Sequence, residues 1–471
     1  GSNNRYGIFP SFSAGWKIHE ERFMEGTEDW LSNLKLRASW GKAGNNQGIG
    51  NYAWQAVYAT QNVVVDGSGS KGLYISSLSN ADLKWETTAT TDIGLDMGFF
   101  DNRLTAEIDY YRKNTTDILY TPTIYMTMGE VSGVPSNLGS VVNKGVELAL
   151  NWKSRIGKDF SYYAGVNFSY NKNRVTRFKG DLVKTWTDGV YTNNLSDVTA
   201  GYGSGKLCEG HALGEHYLRR LYKGNGRGYR GGAVDVNAGP KDGMIRTQQD
   251  FEWVQAMLET GYTFNGVTAL SKDQLWYGDL IYADRNGDGN YGDDNDMDFN
   301  GRTSTPSYNL GVNLGFAWKG LDFNMTWSGA FDYYIIWNAL YYNGTQTTNG
   351  HGISERVADN HYFFDPENPA DARTNLKGAY PRLTFGTPGD NRQASEFYEY
   401  KGDYLKLKNV QIGYTLPSRI TKKFYVQQLR FFVSGENLLT ITDYPGLDTE
   451  KGSAIGYPLM RSVTFGAQIT F

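Results

Sequence analysis

The sequence is poor in cysteine, in long apolar runs and in net charge. Its one cysteine among 471 residues, Cys208, cannot form an internal disulfide, so cysteine usage does not fix the compartment. No apolar stretch reaches the roughly 18 residues of a membrane-spanning helix. Lys and Arg (46) nearly balance Asp and Glu (50), which argues against a nucleic acid partner. Hydrophobic residues make up only 39%, which is low for a chain with a large dry core.

What the sequence does contain, from end to end, is alternation with a period of two. In 308–318 the residues Tyr308, Leu310, Val312, Leu314, Phe316 and Trp318 share one face, and Asn, Gly and Ala residues share the other. Such alternation predicts strands with one apolar face, about 12 or 13 of them in an all-β chain. In 404–414 the apolar parity switches between Leu407 and Val410, which predicts a β-bulge. The other alternating segments are 85–99, 104–110, 146–152, 160–170, 321–327, 429–434 and 463–471, and the count includes 214–224 and 278–284.

The length of these segments fits a membrane. The strand from Tyr308 to Trp318 spans roughly 34 Å, or about 24 Å along the membrane normal at a tilt of ~45°. This matches the ~25 Å apolar band of an outer-membrane barrel, whereas strands of soluble proteins average about five or six residues. Aromatic residues are typical of both membrane interfaces. We therefore predict interface positions for Phe160, Tyr170, Tyr308, Trp318 and the final residue, Phe471.

The connections alternate in length as well. Short turns are predicted near 100–103, 154–159 and 319–320, and long connections near 43–81, 114–142, 179–212, 336–402 and 443–458. Outer-membrane barrels have short periplasmic turns and long extracellular loops. The pattern thus predicts a transmembrane antiparallel β-barrel in the bacterial outer membrane, with lipid on the apolar face and water on the other. The alternative is a large soluble β-sandwich or a propeller, although no blade-length repeat is present.

Several stretches, in order along most of the chain, resemble SusC/RagA-type TonB-linked outer-membrane receptors of Bacteroidetes. They include "RYGIFPSFSAGWKIHEERFM", "LKWETTATTDIGLDMGFFDNRLTAEIDYYRKNTTDIL" and the closing blocks "YLKLKNVQIGYTLP" and "GYPLMRSVTFGAQITF". The resemblance implies a barrel of about 22 strands, within the bacterial size range. It also implies an N-terminal plug that contacts the TonB complex, and a SusD-like lipoprotein lid. Residues 1–471 are then expected to be the C-terminal barrel portion, with the plug and the early strands outside this chain.

The segment "DRNGDGNYGDDND" has the spacing of a calcium-binding loop. Asp284, Asn286 and Asp288 occupy positions 1, 3 and 5, and Gly289 occupies position 6. Position 12 is Asn295 instead of Glu, and no flanking helices are evident, so an acidic surface turn is the alternative. The candidate Ca²⁺ ligands are Asp284, Asn286, Asp288, Asn290 and Asp294.

Aromatic residues in the predicted loops are candidates for substrate binding. Flat apolar rings stack on sugar faces, but they also pack loops or contact a lid protein. The candidates are Trp186, Tyr202, Trp253, Trp337, Tyr341 and Tyr342.

The sequence shows no catalytic constellation. Neither an H-E-x-x-H motif nor a G-x-S-x-G elbow occurs, so we predict that the chain is not an enzyme. The predicted function is import of a bulky nutrient, an oligosaccharide, with an oligopeptide as the alternative cargo. Two other classes stay open: a barrel-type outer-membrane enzyme, and a surface-binding protein without transport.

Overall fold

The computed structural model describes residues 4, 6–47, 54–77, 80–120, 136–178, 182–187, 190–195, 201–202, 205–206, 208–337, 354–383, 391, 393–454 and 456–471. The side chains of residues 77 and 120, and of those between 182 and 206, are outside this description. No helix among the described residues is long and apolar enough to cross a membrane.

The main element is one antiparallel sheet of 11 strands, in which each strand pairs with its neighbours in chain order. The sheet confirms the predicted all-β class. Its strands are β1 (Ser11–Lys17), β2 (Leu31–Asn45), β3 (Glu86–Phe99), β4 (Leu104–Tyr120), β5 (Ser136–Ile156), β6 (Phe160–Phe178), β7 (Tyr308–Trp318), β8 (Leu321–Phe331), β9 (Tyr404–Thr415), β10 (Gln428–Thr442) and β11 (Ser462–Thr470).

The strand register joins the apolar positions into one continuous face. Tyr308 of β7 lies opposite Tyr170 of β6, and Trp318 lies opposite Phe160. Side chains of this face are exposed among the described residues: Phe431 is 51% exposed and Phe465 is 78% exposed. A β-sandwich would bury such a face against a second sheet, and soluble monomers rarely expose large apolar patches. The sandwich alternative is therefore wrong, and lipid is the medium that suits this face.

The opposite face is polar, and ion pairs join its neighbouring strands. Arg37 of β2 donates to Asp96 of β3 (Nε to Oδ1, 2.8 Å) and to Asp109 of β4 (Nη2 to Oδ2, 3.1 Å). Gly94 of β3 lies between them, where a Cβ atom would be 2.7 Å from the Arg37 guanidinium. A glycine at this position leaves room for the arginine to cross the middle strand.

A second ion pair repeats this arrangement near the other edge of the sheet. Arg430 of β10 donates to Asp322 of β8 (Nε to Oδ1, 2.9 Å) and to Gln411 of β9 (Nη2 to Oε1, 3.1 Å). Gly413 of β9 lies beneath this guanidinium, and a Cβ atom at residue 413 would collide with it. The polar face thus holds charged groups in pairs, as a wet interior wall allows and hydrocarbon does not.

The predicted bulge is present in β9. Trp327 lies opposite Leu407 and Thr326 lies opposite Asn409, so Lys408 has no partner position on β8. The extra residue restores the apolar side chains after Asn409 to the lipid-facing side.

The connections alternate as predicted, with two corrections. The connection predicted near 179–212 runs from 179 to 307, because neither 214–224 nor 278–284 joins the main sheet. The turns at 100–103, 157–159 and 319–320 are short, and Lys319 and Gly320 adopt φ of 48° and 91° in the last of them. The predicted long connection 114–142 is shorter, because β4 continues to Tyr120 and β5 begins at Ser136. At 21 and 19 residues, β5 and β6 are longer than the membrane band requires, so they extend past it.

The long connections contain elements of their own. The 12-residue helix α1 (Gln248–Glu259), which the sequence did not predict, begins at a capping box between Thr247 and Asp250. The two extra strand predictions are wrong: only Glu215–Leu218 is a strand, outside the main sheet, and 278–284 forms isolated bridges. Their apolar residues are buried inside the connection and do not face lipid. The remaining short strands are Val57–Val65, Ser68–Ser77, Leu182–Thr187, Val190–Leu195, Gly201–Tyr202, Gly205–Lys206, Thr263–Phe264, Asn290–Tyr291, Asp298–Thr303, Tyr334–Ile336 and Glu399–Lys401. Two short α-helices are Glu355–Asn360 and Ser418–Thr421.

The two faces of β6 should respond differently to charge. Val166 lies on the apolar face opposite Val312, and its neighbour Asn167 lies on the polar face. Because a cation at the centre of the lipid-facing band is poorly solvated, Val166→Arg should destabilise the protein by about 2–4 kcal/mol in lipid bilayers. Asn167→Arg, the matched control, should change stability by less than about 0.5 kcal/mol. Urea unfolding from vesicles measures both, and equal losses would contradict the assignment of the faces.

Candidate functional site

The connection between β6 and β7 folds with part of the connection between β8 and β9 around its own core. We call these segments, residues 208–307 and 354–403, the loop assembly. Trp253, Met257, Phe264 and Leu280 are wholly buried in it, and Tyr362 of the second segment packs against them. This core has the character of a soluble domain and is separate from the lipid-facing sheet.

The structure corrects two of the aromatic candidates. Trp253 is 0% exposed, and its indole Nε1 donates to the carbonyl of Asp235 at 2.8 Å, so no ring face is free for a ligand. Trp337 is also buried, within 5.6 Å of the Tyr444 ring. The side chains of Trp186 and Tyr202, and all of Tyr341 and Tyr342, lie outside the described residues.

The loop assembly has a groove of about 330 Å³ that is lined by aromatic rings. Trp276, Phe363 and Phe364 are half-buried there, and each keeps part of its surface accessible. None of these three residues is among the six aromatic candidates named from the sequence, and 361–364 neither alternates nor contains a motif. This groove is the candidate binding site among the described residues.

Packing fixes the walls of the groove. The Trp276 ring lies 4.9 Å from Phe251 in an edge-to-face contact, and the Phe364 ring lies 5.1 Å from Tyr277. Arg382 donates to both carboxylate oxygens of the buried Asp279, at 2.7 and 2.8 Å. Burial raises the pKa of Asp279, and the hydrogen bonds from Arg382 oppose that effect. The rings are therefore presented in one arrangement, which lowers the entropic cost of binding.

Glu399 joins the two segments of the loop assembly. Its buried carboxylate accepts hydrogen bonds from His216 Nδ1 (2.6 Å), Asn300 Nδ2 (2.8 Å) and Arg302 Nη1 (2.5 Å). His216 Nε2 lies 2.9 Å from the Ser304 hydroxyl. Burial alone would raise the pKa of Glu399, but the hydrogen bonds from His216, Arg302 and Asn300 outweigh it, and the pKa is lowered. His216 thus helps to hold the two segments of the loop assembly together, and no sequence motif indicated this role.

In the predicted calcium loop, the carboxylates accept hydrogen bonds from backbone N–H groups of the same loop. Asp284 accepts N–H bonds from Gly287 (2.6 Å) and Gly289 (2.9 Å), and Asp288 accepts one from Asn290 (2.8 Å). Asp294 points elsewhere: its carboxylate pairs with Arg219 at 2.5 Å. Among the described residues, no three His, Cys, Asp or Glu side chains form a metal-ligand group.

Asp296, and not Asp294, is the buried carboxylate of this loop. It accepts N–H bonds from Arg285 (2.5 Å), Asn286 (3.2 Å) and Gly292 (2.6 Å). Burial raises its pKa to about 6, although these hydrogen bonds lower it. Ca²⁺ binding at Asp284, Asn286, Asp288 and Asn290 stays a prediction.

The predicted interface aromatics align in two rows. At one end of β6 and β7 the rings of Tyr170 and Tyr308 are 4.9 Å apart. At the other end Trp318 lies opposite Phe160, whose ring is 5.9 Å from that of Phe316. Phe471, after β11, is 79% exposed.

Loss of the Glu399 charge should loosen the loop assembly. Removing one partner of a buried ion pair costs about 3–5 kcal/mol, so Glu399→Gln should lower local stability by that amount. Hydrogen exchange of the amides in 215–218 and 298–303 measures the loss. The control is Glu367→Gln, because Glu367 is mostly exposed and 3.9 Å from Lys272, and it should change exchange little. Equal exchange in both variants would contradict the role of Glu399.

Asp296 should make the stability of its loop depend on pH. A carboxyl group whose pKa is raised by folding stabilises the fold below its unfolded pKa, near 4, and this contribution is lost as pH rises through about 6. Amides of 284–298 should therefore be better protected at pH 5 than at pH 7, after correction for intrinsic exchange. Asp296→Asn should abolish the difference, and Asp288→Asn should keep it.

The same exchange experiment tests the calcium prediction. Millimolar Ca²⁺ should increase protection of 284–298 at pH 7, because bound Ca²⁺ neutralises the carboxylates. Unchanged protection would contradict ion binding.

Comparisons with known proteins agree with the sheet and its two faces. The family described as "TonB dependent receptor-like, beta-barrel" matches residues 1–269. TonB-dependent receptor P3 of Formosa agariphila is 30% identical over all of this chain, which covers 42% of that receptor. TonB-dependent receptor SusC of Bacteroides thetaiotaomicron is 25% identical over 98% of the chain, which covers 40% of that receptor.

A solved structure of the RagAB peptide transporter has the same fold. It superposes with a TM-score of 0.70 at 24% identity, over all of this chain and 44% of that one. The chain thus spans less than half the length of the relatives that it matches. The two named relatives are TonB-dependent receptors, which agrees with the prediction that the chain is not an enzyme. The chain belongs to the TonB-dependent receptor β-barrel family, and its place is the bacterial outer membrane.

Proposed function

We propose that the protein imports a bulky nutrient across the outer membrane, and that the nutrient is an oligosaccharide. One observation carries the choice of cargo: the groove with Trp276, Phe363 and Phe364 on its walls. Sugar rings have apolar faces that stack on aromatic rings, and their hydroxyl groups bind charged and polar side chains. Lys272 and Asp365 line the same groove and supply such partners.

The membrane-embedded part of this proposal rests on the two faces of the sheet. The aromatic rows of β6 and β7 lie at the two membrane interfaces, and the polar face lines a wet passage. In the sheet order, β1 and β11 are the edge strands. Further strands of the receptor pair with these edges and close the barrel, so that residues 1–471 form its C-terminal portion.

Energy and a lid come from other parts of the machinery. A plug region of the receptor contacts the TonB complex and couples transport to it. A SusD-like lipoprotein covers the loop assembly on the extracellular side. Membership in the TonB-dependent receptor family supports the proposal of these partners.

Oligopeptide import by the same architecture is the second candidate. The RagAB structure is that of a peptide transporter, and its fold is shared. Aromatic grooves also accept peptide side chains, so the groove alone favours sugar without excluding peptide.

The cargo test is calorimetry of the purified receptor against a panel of oligosaccharides and a pool of tryptic oligopeptides. Binding of an oligosaccharide is the expected result. An aromatic contact contributes about 0.5–1.5 kcal/mol, so Trp276→Ala should weaken that binding roughly 2- to 10-fold. Trp276→Phe retains a ring and should retain most of the affinity.

A control separates the groove from aromatic residues in general. Tyr58 is 65% exposed on the Val57–Val65 strand, outside the groove, and Tyr58→Ala should leave affinity unchanged. Binding of peptides alone would select the second candidate. Sugar binding that is insensitive to Trp276 would remove the groove from the proposal.

A further inference from the structure

The apolar face of the sheet carries a row of cations just beyond its aromatic edge. The register places Arg112 of β4 opposite Lys144 of β5, and Lys144 opposite Lys172 of β6. Arg174, two residues further along β6, lies opposite Val142. All four cationic side chains are exposed. We call Arg112, Lys144, Lys172 and Arg174 the cation row.

The cation row points in the same direction as the lipid-facing residues. Side chains two apart on a strand share a face. Arg112, Lys144 and Lys172 each lie two residues from an apolar residue on the same face. Those apolar residues are Tyr110, Val146 and Tyr170, and they lie opposite one another on the three strands. The cations thus belong to the outer surface of the sheet and not to its polar inner wall.

The height of the row corresponds to the headgroup layer. Tyr170 pairs with Tyr308 at the aromatic edge of the band. Two residues further along a strand is roughly 7 Å, or about 5 Å along the membrane normal at a tilt of ~45°. Interfacial aromatics sit at the border of hydrocarbon and headgroups, so the next layer outward contains the headgroups.

The row is energetically unfavourable without an anion. Like charges directly opposite on neighbouring strands destabilise a sheet. Among the described residues, no ion pair joins any of the four cations to an acidic side chain. They line an open groove of about 1070 Å³ that also contains Glu209 and Glu215, and neither carboxylate forms an ion pair with the four cations. Glu215 accepts from Gly301 N at 2.8 Å, and Glu209 accepts from Phe178 N at 3.4 Å.

The opposite ends of the same strands have no such row. On the outer face, β5 continues past Trp152 with Ser154 and Ile156, and their partners on β6 are Tyr162 and Phe160. Lys153 and Arg155 alternate onto the polar face. The cations are therefore confined to the end of the strands that bears the long connections, which is the extracellular end.

We propose that the cation row binds the phosphate groups of an anionic glycolipid headgroup in the outer leaflet of the membrane. Arg and Lys are the side chains that bind phosphate, and arginine does so through paired N–H donors. Neighbouring strands are about 4.8 Å apart, so three strands spread the charges over roughly 10 Å. The row can therefore contact more than one phosphate group of a single headgroup. The bound lipid offsets the repulsion within the row and anchors β4, β5 and β6 at a fixed depth.

The test is native mass spectrometry of the complete receptor in a non-ionic detergent, with diphosphoryl lipid A as the probe. Lipid A should bind at least tenfold more tightly than the same lipid without its phosphates, and added salt should weaken it. The triple variant Arg112→Gln, Lys144→Gln, Lys172→Gln should lose at least tenfold in affinity. The matched control is Lys158→Gln, Lys319→Gln, Lys423→Gln, at the short-connection end, and it should bind as the wild type does.

Folding and specificity are checked in the same material. Without lipid A, the triple variant should melt at the wild-type temperature or above, because facing like charges have been removed. Equal affinity of the triple variant and the wild type for lipid A would overturn the proposal. Inorganic phosphate bound as tightly as lipid A would show a free-anion site and would overturn it as well.

Discussion

The contact between alternate side chains and hydrocarbon is the constraint on which the rest of the structure depends. Hydrocarbon offers no hydrogen bonds, so every backbone N–H and C=O in the band must be paired within the sheet. The nine inner strands meet this requirement by pairing with a neighbour on each side, and the edge strands β1 and β11 pair on one side. The charged side chains of the band then have only the polar face to occupy. There Arg37 and Arg430 each bridge three strands across a glycine.

The loop assembly is built for water and not for lipid. It has a dry core around Trp253 and Met257, as a soluble domain does. Its buried charges are compensated in place: Asp279 pairs with Arg382, and Glu399 accepts from His216, Asn300 and Arg302. Such groups rigidify a structure only when fully satisfied. One chain thus contains a sheet that turns apolar residues outward and an assembly that turns them inward.

The two ends of the sheet are unequal, and both proposed binding sites lie at one of them. The end with long connections carries the loop assembly, the groove at Trp276 and the cation row. The other end has turns as short as Lys319–Gly320. A receptor that takes cargo from outside needs a structured recognition surface on that side only. The aromatic rows and the proposed headgroup contact would together hold the sheet at one height in the membrane.

The sequence by itself determined the strands, their faces and the alternation of turns and connections. A period of two is a local property, and lipid contact keeps it strict over 308–318 and 160–170. The bulge near Lys408 could be predicted for the same reason, since one extra residue reverses the parity. Where a connection buries apolar residues in its own core, this rule fails, and the predicted strand at 278–284 forms isolated bridges instead.

Only the tertiary structure decided which loop residues meet. Glu399 joins His216 across 183 positions, and Phe364 reaches Tyr277 across 87 positions. The burial of Trp253 also had no local signal, because a ring that packs a core and a ring that binds sugar look the same in sequence. The cation row required the register of three strands, since Arg112, Lys144 and Lys172 are separate until hydrogen bonding aligns them. Long-range contacts of this kind are fixed by packing and register, which no short stretch of sequence contains.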